Sequence, residues 1–239
     1  MNFIVLASGK GNIDNIRIID FINFTIPKLS KKIAVLGYKF KSTKKKFLKR
    51  KFSIVQNKKY SSTNMVESMF CAKKNVIKKD VIIIYSDIIF EKKLITRLIK
   101  VKGNVLPLNK NWYKNWKKRM PPIKILQDAE DVEIKKNKVL SIGGKIKKKI
   151  PRYQYMGIIK FNYKDFLKLS LYYKKIKDKK IDLTTFLNSA IKNKVIQINF
   201  ISVKSYWTEI DTINDYISCK KNIKNELPKN YIQSIQRKL

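Results

Sequence analysis

Apolar residues fall in short, nearly unbroken runs through the first hundred positions, separated by lysine-rich stretches with helical spacing. Phe3 to Ala7, Lys32 to Gly37, Phe52 to Gln56 and Val81 to Tyr85 read as strands. None shows the in–out alternation of a half-exposed sheet, so both faces are expected to be covered. Between them Ile16 to Phe24, Thr43 to Lys49 and Met65 to Lys73 read as helices, the last behind Ser61, Ser62, Thr63 and Asn64, which are good N-cap residues. Strand and helix in alternation predict an α/β fold around a mainly parallel sheet.

The second half is patterned differently. Val105 to Leu108 reads as a strand and Trp112 to Arg119 as a short helix stopped by Pro121 and Pro122. Val132 to Lys135 and Lys138 to Ile142 form a predicted hairpin around Lys136 and Asn137. Met156 to Phe161 and Val195 to Val203 read as strands; Tyr163 to Lys174, Leu183 to Ile191 and Thr212 to Lys220 read as helices. No internal repeat is visible, and 239 residues are enough to bury a core without disulfide or metal support.

Composition changes this picture less than its size suggests. A formal charge of +38 points first to nucleic acid. Yet Arg17, Arg50, Arg97, Arg119, Arg152 and Arg237 are the only arginines, although arginine is the better bidentate reader of phosphates and bases. Lysine is scattered through every element, and its abundance beside Asn, Ile, Tyr and Phe is what AT-biased codon usage produces. No specific nucleic acid partner is therefore expected, only nonspecific attraction to polyanions at low salt. The absence of histidine excludes histidine acid–base chemistry and a Cys/His zinc site, and Cys71 and Cys219 stand alone. With no apolar stretch near the ~20 residues of a membrane span and no basic region before the first strand, the expectation is a reduced, cytoplasmic protein without a membrane span.

Three features suited to chemistry fall where the strands end, which is where open α/β sheets bind ligands. "LASGKGN", Leu6 to Asn12, puts two glycines between a strand and a helix, a phosphate cradle or a plain turn. Asp87 in "VIIIYSDIIF" follows a strand too apolar to tolerate an unsatisfied carboxylate, so it asks for a metal or donor unless it is a turn residue. In "SYWTEIDT", Glu209 and Asp211 share one face if the segment is extended; Asp211 is alternatively a helix cap, and Glu209 a partner for a lysine. Carboxylates from distant segments are what Mg²⁺ on a nucleoside triphosphate takes from a protein.

These residues resemble the sugar-phosphate nucleotidyltransferase-like family, in particular its phosphocholine and phosphonate cytidylyltransferases. "FIVLASGKG", "KIAVLGYK", "VQNKKYSSTNMVESMFCA", "DVIIIYSDIIFEKKL", "NKNWYKNWKKR", "DAEDVEIKKNKVLSIGGK", "YMGIIKF" and "YWTEIDTINDY" carry the resemblance in order along nearly the whole chain. It implies a Rossmann-like nucleotidyltransferase fold, a mixed, mainly parallel sheet flanked by helices. A single domain would span 1–222, with a nucleotide-binding half at 1–100, an acceptor-binding half at 101–222 and a basic tail at 223–239. The implied reaction transfers a nucleoside monophosphate, CMP from CTP by preference, to a phosphorylated acceptor such as phosphocholine, a phosphonate or a sugar phosphate. Pyrophosphate is released.

Carried over by position, Asp87 and Asp211 would hold Mg²⁺ with Glu209 in support. Leu6, Ala7, Ser8, Gly9, Lys10 and Gly11 would line the nucleotide, with Lys10 reaching the phosphates, and Asn64 and Ser68 would contact nucleotide or acceptor. Trp112, Trp116, Tyr155 and Trp207 would surround an acceptor's quaternary ammonium, or simply pack in the core. The chain departs from the family where an arginine should follow the glycines: Ile13 stands there. The family's Pro-Lys pair has a counterpart in Pro27 and Lys28, but too close to the second strand, so that Lys28 is expected near the amino ends of the strands. Losing one phosphate contact commonly lowers rate by ~10²-fold. Reduced activity is one expectation that follows, and a degenerate member that binds nucleotide with little catalysis is the alternative to a working enzyme. A basic nucleic-acid-binding module comes third.

Overall fold

Every residue of the first strand, β1 (Asn2–Ala7), is buried, as its uninterrupted apolar run demands. A computed structural model describes residues 1–9, 16–146, 150–212, 214–215 and 217–219. From β1 the chain continues through α1 (Ile16–Thr25), β2 (Lys31–Leu36), α2 (Phe40–Leu48), β3 (Ser53–Gln56), α3 (Met65–Cys71) and β4 (Val81–Tyr85). The strands pair in parallel in the order β3–β2–β1–β4. Phe3, Val5 and Ala7 face one core with α1, while Ile4 and Leu6 face another with Val66 and Met69 of α3. Helices on both faces are why these strands read as continuous apolar runs.

The remaining elements are β5 (Ile88–Phe90), α4 (Lys93–Lys100), β6 (Val105–Asn109), α5 (Trp112–Trp116), α6 (Pro122–Asp128), β7 (Glu130–Lys135), β8 (Lys138–Lys145), β9 (Gln154–Tyr155), β10 (Ile158–Phe161), α7 (Tyr163–Lys175), α8 (Leu183–Lys192), β11 (Asn199–Val203) and β12 (Trp207–Glu209). Strands of both halves of the chain share one ten-stranded sheet, β3–β2–β1–β4–β10–β6–β11–β8–β7, with β9 on β6. β10 runs antiparallel to both β4 and β6, while β11 is parallel to β6. The expected α/β fold, a mixed sheet flanked by helices, is the one found; pairing is parallel from β3 to β4 and between β6 and β11, and antiparallel at β7, β8, β9 and β10.

Several boundaries differ from the sequence expectation. β5, α4, α6 and β12 were not anticipated. Pro121 and Pro122 open α6 as well as closing the preceding turn, Pro122 sitting at the first helical position where a missing N–H costs nothing. The expected strand from Met156 is broken at Gly157, whose φ of +72° fits glycine and whose added Cβ would lie 3.0 Å from the Tyr85 ring. β11 begins at Asn199, four residues later than expected, because Val195 donates its N–H to Ala190 O at the end of α8.

One polar cluster ties the second half together. Asn104, 4% exposed, donates through Nδ2 to Asp165 Oδ2 (2.7 Å) and Gln197 O (2.9 Å). Its Oδ1 accepts from the Asn162 N–H and Nδ2. Asn162 in turn caps α7 by accepting from Asp165 N at 2.9 Å. Among the described residues no helix is long and apolar enough to cross a membrane.

Candidate active site

The carboxyl ends of β1 and β4 and the start of α3 enclose a cleft of about 140 Å³. Its lining includes Leu6, Ser8, Gly9, Asn64, Ser68 and Asp87, all singled out from the sequence, together with Tyr60, Thr63, Tyr85 and Ser86. Backbone hydrogen bonds hold this mouth: Ser86 N donates to Leu6 O at 3.2 Å and Tyr38 N to Ser8 O at 2.9 Å. Gly37 makes room for it, since a Cβ there would stand 2.5 Å from Tyr60 Cβ and 2.7 Å from Ser8 O. Buried Asn57, which the motif reading passed over, donates to Thr63 Oγ1 (3.1 Å) and Ser68 Oγ (3.0 Å). Asn64 caps α3 by accepting from Met65 N and reaches Lys180 O with its Nδ2 at 3.1 Å.

A two-stranded antiparallel ribbon brings the carboxylates together. Glu209 of β12 lies opposite Ile88 of β5, and Ile210 N donates to Asp87 O at 2.8 Å. Asp87 therefore faces the stretch between Glu209 and Asp211. Its Oδ1 is buried with no hydrogen-bond partner. Burial first, and then the Asp211 carboxylate, push the Asp87 carboxyl up to about 6 against the opposing pull of Arg119. Burial also raises Glu209, to about 8, with Arg119 opposing and Asp87 and Asp211 adding to the rise.

Arg119 is the residue the sequence reading missed. Its Nη2 donates to Asp211 Oδ2 at 2.8 Å and its Nη1 to Glu209 O at 2.7 Å. Within "NWYKNWKKR" it looked like one more cation in a basic run, and no local signal distinguishes it. Asp211 pairs with this arginine; the cap of the following turn is Thr212, whose Oγ1 accepts from Asp215 N while Asp215 Oδ2 accepts from Thr212 N.

The four aromatic positions are not gathered round an open space. Trp112, Trp116, Tyr155 and Trp207 are at most 5% exposed. Trp112 packs edge-on against Trp116 (5.4 Å), and Trp116 lies tilted against Trp207 (5.8 Å). Tyr155 stands apart, 5.9 Å from the ring of Tyr85 that lines the cleft. Ala7 is buried beneath the mouth. Lys10 and Gly11 lie outside the described residues, as do Ile13 and the tail at 223–239. Lys28 is exposed and precedes β2, at the amino ends of the strands as expected. Among the described residues that line the cleft there is no Lys or Arg. Nor, among them, do three or more His, Cys, Asp or Glu side chains form a group able to hold a metal ion.

The fold is that of the Rossmann-like nucleotidyltransferases, and the resemblance to sugar-phosphate nucleotidyltransferase-like proteins near the cytidylyltransferases holds in sequence and in structure. No protein-family model matches the chain. It is 29% identical to CTP:phosphoglutamine cytidylyltransferase of Campylobacter jejuni over 254 positions, covering 90% of this chain and 97% of that protein. The structure is similar to that of the inositol-1-phosphate CTP transferase from T. maritima, with a TM-score of 0.72 and 19% identity over 95% of this chain and 97% of the other. It is also similar to CTP:phosphocholine cytidylyltransferase from Streptococcus pneumoniae, with a TM-score of 0.65 and 15% identity over 93% and 99% of the two chains. At these structural identities the likeness speaks to the fold.

Proposed function

We propose that the protein is a cytidylyltransferase that moves CMP from CTP to a phosphorylated small-molecule acceptor and releases pyrophosphate. One observation carries the reading: a buried, unpartnered carboxylate oxygen of Asp87 sits beside Asp211, at the strand ends where Ser8 and Gly9 open the cleft. The names of the relatives, each of which uses CTP and a phosphorylated or phosphate-bearing compound, support the choice of chemistry.

An all-oxygen pair suits a hard cation such as Mg²⁺, which takes one or two carboxylates and completes its shell with phosphates and water. Two side chains are then enough, and the orphaned Asp87 Oδ1 fits the role. Asp87 and Asp211 would hold the ion with Glu209 beside them. When bound it would neutralise charge building on the α-phosphate and the departing pyrophosphate. The chain's own part is positioning. Leu6, Ala7, Ser8 and Gly9 present backbone to the nucleotide, Lys10 is the cation that would meet the phosphates, and Asn64 and Ser68 close the cleft from α3. With these parts no covalent enzyme intermediate is required, and rate comes from alignment and fixed charge. In this reading residues 1–100 hold the nucleotide and 101–222 the acceptor, with Tyr155 packed against the cleft-lining Tyr85.

Pyrophosphate release from CTP, with phosphocholine, 2-aminoethylphosphonate, phosphoglutamine and inositol 1-phosphate as acceptors, tests the proposal. Turnover is expected with at least one acceptor and a fall of ~10³-fold or more in Asp87→Ala. Folded protein that turns over no acceptor yet binds CTP tightly by calorimetry would favour the second reading, a nucleotide-binding protein with little catalysis. The lack of a described cation in the cleft lining is the observation behind that alternative.

A further inference from the structure

The Arg119 guanidinium is 5% exposed and is held from several directions at once. Nη1 donates to Glu209 O at 2.7 Å, and Nη2 donates to Asp211 Oδ2 at 2.8 Å. Nη2 also lies 3.6 Å from Glu209 Oε2, and Nε lies 3.8 Å from Asp215 Oδ1. One face rests 5.6 Å from the Trp116 ring centroid. Trp116 is itself wedged between Trp112 and Trp207, and Arg119 N donates to Trp116 O at 2.9 Å. The buried tryptophans of α5 and β12 thus act as the mount for this arginine.

A planar fork anchored on a backbone carbonyl by one nitrogen and donating to a carboxylate oxygen with another holds that oxygen in a fixed place. The carboxylate fixed here is one of the pair that converges beside Asp87. We propose that Arg119 is a positioning residue for the cation site: it sets the orientation of Asp211 relative to Asp87, and through it the affinity of the pair for a divalent ion on the nucleotide. The inference rests on the proposed function above. It goes beyond it in assigning a role to a residue outside the carboxylates and the loop. A purely structural ion pair would behave differently, because a buried pair is replaceable with little effect beyond stability. Partners that orient a ligand typically change metal affinity by about 10–100-fold.

The test is a titration of Mn²⁺ in the presence of a non-hydrolysable CTP analogue, read as loss of the free Mn²⁺ electron paramagnetic resonance signal. The wild-type protein is expected to bind Mn²⁺. Arg119→Lys keeps the charge but loses the fork, and is expected to weaken binding by about 10–100-fold while the melting temperature stays near that of the wild type. Arg119→Met, if it folds, is expected to be at least as weak. Mn²⁺ affinity in Arg119→Lys equal to or tighter than wild type overturns the role given to Arg119 and leaves the cation site standing. A wild-type protein that binds no Mn²⁺ with the analogue overturns the site and this inference together.

Discussion

Asp87 is costly to the fold that carries it. Its carboxyl sits at about 6 against an ordinary 3.8, chiefly through burial, and the difference corresponds to on the order of 3 kcal/mol between its two protonation states. A carboxylic acid raised in the folded state binds its proton more tightly there than in the unfolded chain. Its contribution to stability therefore falls as pH rises from about 4 to about 6 and is level above that. Asp87→Asn removes the charge and keeps the shape. It is expected to raise the melting temperature of the ligand-free protein, with a gain that grows from pH 4 to 6, while catalysis is lost; calorimetric melts across that range check it. A gain independent of pH would mean that burial of the charge is not what Asp87 suffers. Most of this site was legible at the same scale. Asp87 was conspicuous because an acid after four apolar residues has no cheap reason to be there, and the glycines after Ser8 because they interrupt an apolar run. Arg119, Asn57 and Tyr85 were not, since what marks them is a partner far away in sequence.

Elements were legible where local pattern decides them. β1 to β4 lie within a few residues of expectation because each is a short continuous apolar run, and α7 and α8 because each carries helical spacing behind an N-cap, Asn162 and Asp182. Among those missed, the strands β5 and β12 are three residues each, too short to show a period, and exist because they pair with one another. Interior supports follow the same logic. Asn104 serves α7, β6 and the approach to β11 at once, so Asn104→Ala removes a buried amide and takes a partner from the Asn162 N–H, Gln197 O and Asp165 Oδ2. It is expected to cost about 2–4 kcal/mol in denaturant unfolding. Burial alone would raise the Asp165 carboxyl, but hydrogen bonds from Asn104, Asn162 and Lys168 outweigh it and hold it below the ordinary 3.8. This part of the stability is present above pH ~4 and is lost as pH falls below it, the opposite slope to that of Asp87.

For the molecule as a whole, the sequence pointed to class and layers but not to strand order. That β10 slots antiparallel between β4 and β6 is a choice of partner, and a run of apolar residues does not state its partner. The described lining of the cleft holds no Lys or Arg. The ribbon of β5 and β12 has a kinetic consequence as well. It joins segments roughly 120 residues apart, so the entropy of closing that loop is met only after much of the parallel sheet has formed. All three tryptophans of the protein stand at that junction, which makes intrinsic fluorescence a reporter of it. Upon dilution from denaturant, far-ultraviolet circular dichroism is expected to recover before tryptophan emission. The catalytic end is then the last region to mature during refolding, and a chain caught before that moment has its secondary structure but not yet its chemistry.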